Sequence, residues 1–225
     1  MPRKIDMSKG DLTRQRIVEL AAPLFNQRGY EGCSMQDVMR ATGLEKGGLY
    51  RHFSSKEELA AEAFRYALKN AVKTRTEGLE AVGDPLDQLR YLIRRFVEEP
   101  SFMPGGCPLM NTAIDADDGN AVLRKLAFDA IEDWKMRLAA IVQEGIRRRQ
   151  IRQRVDPVRI ANTIIATLEG ALMISRLEGS KNALGDAQQS LETLLNEVAC
   201  PSPRSAAYKS ANRLLRGART DSPVQ

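Results

Sequence analysis

Apolar residues recur with helical spacing from one end of this chain to the other. Within 11–29, Ile17, Leu20 and Leu24 fall on one face at intervals of three to four residues, the period of an α-helix, with Asp11 as the expected N-cap. No segment alternates apolar and polar residues as a β-strand does. The pattern therefore predicts nine helices and an all-α fold, with helices at 11–29, 34–43, 45–53, 56–80, 86–99, 108–117, 120–149, 157–177 and 186–199.

Residues typical of helix ends divide this pattern. Ser34 and Asp37 have the spacing of a capping box. Asp84-Pro85 and Asp156-Pro157 each place an N-cap before a proline at the first helical position. Pro23 lies inside the first predicted helix, where we expect it to disrupt one backbone hydrogen bond or to kink the helix.

The first 53 residues contain three of the predicted helices. The second and third are joined by Thr42-Gly43-Leu44, a tight turn with a glycine available for positive φ. A helix, a glycine-containing turn and a short helix form a helix-turn-helix unit. We therefore divide the chain into an N-terminal helix-turn-helix domain at 1–56, a C-terminal helical domain at 57–199 and a mobile basic tail at 200–225.

Composition and charge narrow the class of protein. The 225 residues are 43% hydrophobic and 28% charged, as in folded globular chains. The net charge of +5 divides into +4 over 1–56, −3 over 57–199 and +4 over 200–225. This division fits a head at 1–56 that binds a polyanion and a nearly neutral body at 57–199, and the alternative is ordinary scatter of charges. No apolar stretch approaches the ~18 residues of a membrane span, and the basic N-terminus lacks the apolar run of a secretory signal. We expect a cytoplasmic protein without a membrane partner.

Several short segments occur in order at a characteristic spacing between residues 12 and 60. They are Phe25-Asn26-Gln27-Arg28-Gly29-Tyr30, Ser34-Met35-Gln36-Asp37-Val38, Ala41-Thr42-Gly43-Leu44, Gly47-Gly48-Leu49-Tyr50-Arg51-His52-Phe53 and Lys56-Glu57-Glu58-Leu59. Together they resemble the DNA-binding domain of the TetR family of bacterial repressors. The resemblance implies a homodimer on palindromic double-stranded operator DNA, released by a small-molecule effector in a C-terminal ligand-binding and dimerisation domain. We expect no cofactor, no metal and no enzymatic activity.

The third predicted helix is the candidate DNA-reading element. Leu49 and Phe53 are four residues apart and share the face that anchors this helix to the core, so Lys46, Gly47 and Tyr50 point outward. Gln36 and Arg51 have the chemistry to reach base edges, whereas Tyr50, His52 and Lys56 can contact phosphates. The resemblance places Lys46 and Tyr50 at DNA-contacting positions and Lys56 near a phosphate. The predicted DNA-binding residues are Gln36, Lys46, Gly47, Tyr50, Arg51, His52 and Lys56.

Two alternatives stay open for this part of the chain. Tyr50 and His52 also fit ordinary half-buried positions on a helix. The N-terminal arm either adds backbone or minor-groove contacts or is simply solvated; its basic residues are Arg3, Lys4, Lys9, Arg14 and Arg16.

Aromatic and methionine side chains in the C-terminal domain suit an effector cavity. Such side chains are flexible or flat and line many apolar pockets, although core packing is the default for each. We predict a mostly apolar cavity between the loop at 100–108 and the helix that carries Trp134, binding a small hydrophobic or amphipathic molecule. The candidate lining residues are Phe96, Phe102, Met103, Cys107, Met110 and Trp134.

Cys107 carries a second hypothesis. It precedes Pro108 at the start of a predicted helix, and a helix N-terminus stabilises a thiolate and lowers the thiol pKa. The segment 106–113 also resembles a Gly-Cys segment of a TetR subgroup, some of whose members sense oxidants or electrophiles through a nearby cysteine. The alternatives are a buried structural residue and a thiol-dependent enzyme, but the only histidine, His52, lies in the head.

The last two helices are the candidate dimer interface. We expect both helices to form a four-helix bundle with those of a second copy, and one face of the helix at 157–177 carries Ile160, Ile164, Leu168 and Ala171.

Two charged groups fit either a solvated helix end or a binding role. They are the acidic cluster Asp115, Asp117 and Asp118, and the basic run Arg147, Arg148, Arg149, Arg152 and Arg154. A non-specific DNA-compacting protein is a third class, although it would need far more positive charge than +5.

Overall fold

The computed structural model describes residues 8–99 and 101–201, and this part of the chain is helical. No strand occurs in it, and one antiparallel bridge joins Ile151 to Ala199. The all-α prediction is confirmed. Arg3 and Lys4 of the arm and residues 202–225 of the tail lie outside the described residues. The helices are α1 Lys9–Gly32, α2 Met35–Thr42, α3 Lys46–Tyr50, α4 Lys56–Thr76, α5 Pro85–Glu98, α6 Pro108–Asp115, α7 Ala121–Arg147, α8 Pro157–Glu178 and α9 Asn182–Val198, with a 3₁₀ turn at Leu79–Ala81 between α4 and α5.

The helices α1 to α3 enclose a small core that the first turns of α4 complete. Gly43 ends α2 at φ 70°, and its N–H donates to the Met39 carbonyl at 2.9 Å, so the predicted helix-turn-helix is confirmed. The residues of this core, which we call the head core, are Ile17, Val18, Ala21, Cys33, Val38, Leu49, Phe53 and Leu59.

The first helix differs from the prediction at its start. Ser8 is its N-cap, and Asp11 is the third helical residue of a capping box, whose carboxylate accepts from the Ser8 backbone N–H at 3.2 Å. At Pro23 the backbone keeps helical φ and ψ, because the fixed φ of proline suits a helix, so of the two expected effects no kink is seen there. The helical backbone is interrupted at Gly29, where φ is 73° and ψ is 175°, so the predicted end of the first helix at residue 29 is confirmed, and a further helical stretch runs to Gly32.

Three further helix boundaries differ clearly from the expected ones. The short helix α3 ends at Tyr50 rather than at residue 53. The helix α4 ends at Thr76 rather than at residue 80, because Gly78 takes a φ of 82° and starts the 3₁₀ turn. The last helix begins at Asn182 rather than at 186, and Gly185 lies inside it with open space around its Cα among the described residues.

The C-terminal body has its own, larger core between α5, α7, α8 and α9. The stripe Ile160, Ile164, Leu168 and Ala171 is buried inside the protomer, so the prediction that it forms the dimer interface is wrong. These side chains are already covered by neighbouring helices of the same chain. Among the described helices, α8 is long and apolar enough to cross a membrane by composition alone, but this apolar character comes partly from residues that pack into the body core.

Candidate DNA-binding surface and interior site

The outer face of α3 is an open surface held by two buried anchors. Leu49 and Phe53 are fully buried in the head core, as their spacing predicts. On the opposite side, Lys46 and Gly47 are exposed and Tyr50 is 42% exposed. No described atom lies within 4 Å of the position that a Cβ on Gly47 would take. This face is therefore flat enough for a nucleic-acid backbone to approach closely.

The other predicted DNA-binding residues belong to α2, to the turn after α3 and to the start of α4. Gln36 at the start of α2 and Arg51 after α3 are exposed, whereas His52 is half-buried. Lys56 at the start of α4 holds its ammonium 4.1 Å from the centre of the Tyr30 ring, an attractive cation–π contact. The ammonium of Lys46 lies 6.0 Å from the Tyr50 ring. Of the predicted set, Gln36, Lys46, Gly47, Tyr50 and Arg51 are thus exposed, while His52 and Lys56 are half-buried.

Arg14, which we expected in a free basic arm, is instead part of the fold. Its guanidinium donates to the His52 carbonyl and, at 2.9 Å, to the Glu58 carboxylate, and lies 4.0 Å from the centre of the Phe53 ring. Glu58 also accepts from the Ser54 backbone N–H at 2.8 Å and from its hydroxyl at 2.7 Å. These bonds, those from Ser54 first, lower the pKa of Glu58 to about 2. Arg14 therefore ties α1 to the turn between α3 and α4.

A second ion-pair group orients α2. Asp37 accepts from the Ser34 backbone N–H at 2.9 Å and from its hydroxyl at 2.5 Å. Its carboxylate also pairs with Arg28 of α1 at 3.0 Å and with Arg40 at 2.5 Å. The bonds from Ser34, followed by the arginines, hold the pKa of Asp37 far below its usual range. The position of α2, and with it the turn to α3, is thus fixed against α1.

Head and body meet in a buried polar contact between α1 and the segment that leads into α6. The Asn26 amide donates to the Pro104 carbonyl at 2.8 Å and to the Gly106 carbonyl at 3.3 Å. The Asn111 amide donates to the Asn26 carbonyl at 2.9 Å and to the Gly105 carbonyl at 2.7 Å. A Cβ on Gly105 would lie 2.7 Å from the Asn26 oxygen, so the close approach requires glycine. We call this contact the Asn26–Asn111 joint.

Asp115 adds a second link at the same place. Its carboxylate accepts from the Tyr30 backbone N–H at 2.6 Å, next to the break in α1 at Gly29. A Cβ on Gly29 would lie 2.4 Å from an Asp115 carboxylate oxygen. A cavity of about 30 Å³, enough for about one water molecule, lies beside these groups between α1, α4 and α6. Asp117 and Asp118 are exposed, and no group of acidic, His or Cys side chains suited to a metal is present in the described part of the chain.

Three arginines of the basic run at the end of α7 donate hydrogen bonds to nearby acceptors. Glu144 accepts from Arg147 at 2.5 Å and from Arg148 at 2.6 Å, and Arg148 also donates to the Gly83 carbonyl at 2.7 Å. Arg152 donates to the Ala199 carbonyl at 3.3 Å. These contacts are those of a helix end joined to its neighbours.

The predicted effector-pocket residues separate into two groups with different neighbours. The Phe96 and Trp134 rings stack with centroids 5.9 Å apart and an interplanar angle of 14°. Trp134 and Met110 also pack on the small cluster that contains Cys107. The second group consists of Phe102 and Met103. Phe102 is 45% exposed, and its ring touches the Tyr66 ring edge-on.

Met103 packs toward the head rather than toward Trp134. Its side chain is buried against Ala22 of α1 and against Ala63 and Ala67 of α4. The expectation that the loop at 100–108 and Trp134 enclose one common cavity therefore needs correction for Phe102 and Met103. The loop turns these two side chains toward α1 and α4 because its carbonyls are bonded to Asn26.

Cys107 occupies the predicted N-cap position of α6, but its thiol is not activated. The residue is only 2% exposed. Burial, and next the negative charge of Glu169, raise the pKa of the Cys107 thiol to about 12, and Arg75 opposes this only in part. The prediction of a lowered thiol pKa is wrong, because loss of solvation outweighs the helix N-terminus.

Glu169 is an interior residue that the sequence reading missed. Both of its carboxylate oxygens are shielded from solvent, and neither has a partner with hydrogen-bond geometry among the described residues. Burial raises the pKa of Glu169, while the nearby Cys107 thiol and the charge of Arg75 lower it. The Arg75 guanidinium lies 4.0 Å from the centre of the Phe96 ring. We call Glu169, Cys107, Arg75, Phe96 and Trp134 the interior cluster.

Known proteins of similar sequence and structure identify the family. Residues 17–63 match the model of bacterial regulatory proteins of the tetR family, and residues 85–191 match the tetracyclin repressor-like C-terminal domain. The transcriptional repressor DhaR of Mycobacterium sp. (strain GP1) is 26% identical over 198 residues, which cover 88% of this chain and 97% of DhaR.

Two solved structures extend the match to the whole fold. A TetR-family regulator from Cytophaga hutchinsonii is 36% identical with a TM-score of 0.81, and one from Chloroflexus aurantiacus is 42% identical with a TM-score of 0.81. Each comparison covers 86% of this chain and 98% of the other. The chain belongs to the TetR family of transcriptional regulators.

Proposed function

We propose that the protein is a cytoplasmic repressor that binds an inverted-repeat operator as a homodimer and is released by a small effector held in the body. The proposal assigns DNA binding to residues 1–56, and effector binding and dimerisation to residues 57–199. The observation that carries it is the exposed face of α3, where Lys46, Gly47 and Tyr50 lie directly outside the buried anchors Leu49 and Phe53.

The shortness of α3 supports a dimeric DNA complex. This helix has five residues and can reach only a few base pairs. Two copies related by a two-fold axis would place two such helices about one DNA turn, ~34 Å, apart. Exposed Gln36 and Arg51 supply groups for base edges, while Lys46 and Lys56 supply positive charge for phosphates.

The DNA-binding proposal can be tested on sites selected from a random DNA pool. Tyr50→Ala and Lys46→Ala should each weaken binding to the selected site by roughly tenfold or more, since each change occurs once per half-site. Lys69→Ala removes an exposed lysine of α4 outside this face and should leave binding unchanged. Circular dichroism checks that all variants stay folded. Wild-type affinity in both head variants would show that α3 is not the reading helix.

We propose that the outer face of α8, with the neighbouring surface of α9, is the dimer interface. Leu177 is 82% exposed, and this face is rich in apolar and small side chains that water would otherwise solvate. Its residues are Ala166, Gly170, Met173, Ile174 and Leu177. Gly170 has no described atom within 4 Å of its Cβ position, which permits close approach of a second helix.

A charge on this face should separate the two copies. Ile174→Glu should reduce the mass measured by light scattering from twice 25.0 kDa to 25.0 kDa, because the carboxylate would be buried without a partner. Ile114→Glu, at an exposed isoleucine of α6, is the matched control and should stay dimeric. If Ile174→Glu keeps the dimeric mass, the interface lies elsewhere.

We place the effector site at the interior cluster rather than in the loop at 100–108. Phe96, Met110 and Trp134 provide apolar and aromatic surface there, beside the α6 segment that joins α1. Because Trp134 is the only tryptophan, a ligand that contacts it should change the protein's emission as it releases the operator. Release without any change in emission would move the effector site away from Trp134.

A further inference from the structure

The carboxyl group of Glu169 is a buried acceptor whose neighbours satisfy it only in part. Its two oxygens are both shielded from solvent and have no partner with full hydrogen-bond geometry among the described residues, and the nearby donors are the weak Cys107 thiol and the Arg75 charge. Burial of a carboxylate with so weak a donor costs free energy, which raises its pKa, and such groups are rare in native proteins. A group from outside the described chain that donates to these oxygens would remove this cost.

The surroundings of Glu169 favour a positively charged donor. The Arg75 guanidinium already lies on the face of Phe96, and the ring of Phe96 stacks on Trp134. Leu172, one turn further along α8, packs against both of the clusters that Trp134 contacts. Glu169 lies near Arg75, and the Arg75 guanidinium lies on the stacked rings, so this region offers a cation both a counter-charge and negative ring faces.

We propose that the effector of this protein is an amphipathic amine, whose ammonium group binds Glu169 and whose apolar part packs on Phe96 and Trp134. This rests on the proposed function, since it names the class of effector for the same interior site. The ligand ammonium replaces the Arg75 guanidinium on the Phe96 ring and donates to the carboxylate oxygens. A ligand with a carboxylate at this position is disfavoured, because it would place a second negative charge beside Glu169.

A second consequence distinguishes a binding role of Glu169 from a structural one. If the carboxylate serves a ligand, the ligand-free protein gains nothing from its charge, so Glu169→Gln should unfold in urea at the same or a higher concentration than wild type. A structural carboxylate would make the same variant less stable. Glu178→Gln changes an exposed glutamate on the same helix and is the matched control.

The binding test uses three molecules of one shape and different charge: 4-phenylbutylamine, 4-phenyl-1-butanol and 4-phenylbutyrate. Titrations of the full chain, followed by Trp134 emission and calorimetry, should show at least roughly tenfold tighter binding of the amine than of the alcohol, and weakest binding of the carboxylate. In Glu169→Gln the amine should lose this preference to within about twofold, while affinity for the alcohol stays the same. Glu178→Gln should keep the wild-type order.

The possible results separate this inference from the proposed function. Absence of saturable amine binding, a preference for the carboxylate, or an amine preference that survives in Glu169→Gln would each overturn the inference. Operator binding, measured separately in the same variants, should be unchanged without ligand. If the wild type selects a DNA site while the amine fails to bind, the repressor proposal stands and only the effector class is wrong. Failure to select any DNA site would count against the repressor proposal itself.

Discussion

The Asn26–Asn111 joint offers a direct test of how firmly the head is attached to the body. Asn111→Ala removes the amide that donates to the carbonyls of Asn26 and Gly105 at 2.9 and 2.7 Å. The same nitrogen also lies 3.1 Å from the Asn26 side-chain oxygen, but an amide has only two protons, so we count two bonds. The substitution leaves the apolar packing of α6 otherwise in place.

The size of the effect follows from these two bonds. A net contribution of about 1 kcal/mol per bond gives a loss of about 2 kcal/mol in the free energy of unfolding. At a urea dependence of about 2 kcal/mol per molar, this lowers the midpoint by about 1 M. Asn70→Ala is the matched control, because the Asn70 amide donates only to the Tyr66 carbonyl within α4 and alanine is the better helix former. Its midpoint should change by less than about 0.3 M.

Two probes make the assay specific for the joint. Trp134 emission reports on the body alone, whereas circular dichroism reports on all helices. At one fixed protein concentration, the two curves should coincide in wild type and separate in Asn111→Ala, with helix signal lost before Trp134 responds, as the head unfolds first. If Asn111→Ala has the wild-type midpoint and coincident curves, the joint does not hold the head to the body.

Two further predictions concern titrating groups. Ser54 and Arg14 hold the pKa of Glu58 at about 2, below the ordinary 4.5. The Glu58 charge therefore stabilises the fold above pH 4.5, and this contribution is lost as the pH falls from 4.5 toward 2. In acid titrations Glu58→Gln should lose less stability than wild type over that window, and an equal loss would contradict the assignment. The raised pKa of Cys107 predicts that iodoacetamide at pH 8 modifies Cys200, which is half-buried, well before Cys107 in the native protein. Equal labelling of both, read by mass spectrometry of peptides, would show that Cys107 is accessible and ionised.

The helices and the head could be predicted because their signals are local. Ser34 and Asp37 are three residues apart, and they form the capping box that their spacing indicates. Leu49 and Phe53 are four apart and are both fully buried. Gly43 takes the positive φ that the turn requires. In each case the decisive relation joins neighbours in the sequence, so local backbone geometry is enough to predict it.

The contact between head and body could not be predicted in this way. Asn26 and Asn111 are 85 residues apart, and each resembles an ordinary polar position on its own helix. The thiol pKa of Cys107 also depends on contacts that are distant in the sequence. Its position at the N-terminus of α6 follows from the local sequence, but the burial that raises its pKa comes from other segments of the chain. Long-range packing therefore reversed a conclusion that local geometry favoured.

The helix α8 shows what an apolar pattern leaves undecided. Its apolar residues cover most of its circumference, so the sequence contains two candidate interfaces: Leu168 lies on the one that the protomer buries, and Ile174 on the one it exposes. Only the positions of α5, α7 and α9 decide which is which. Glu169 lies at the edge of the buried face, and its interior location follows once Leu168 is assigned to the core. A glutamate next to a core leucine is costly unless something compensates its charge. That cost, read from the assembled fold, is the strongest indication that α8 contributes to a binding site as well as to the core.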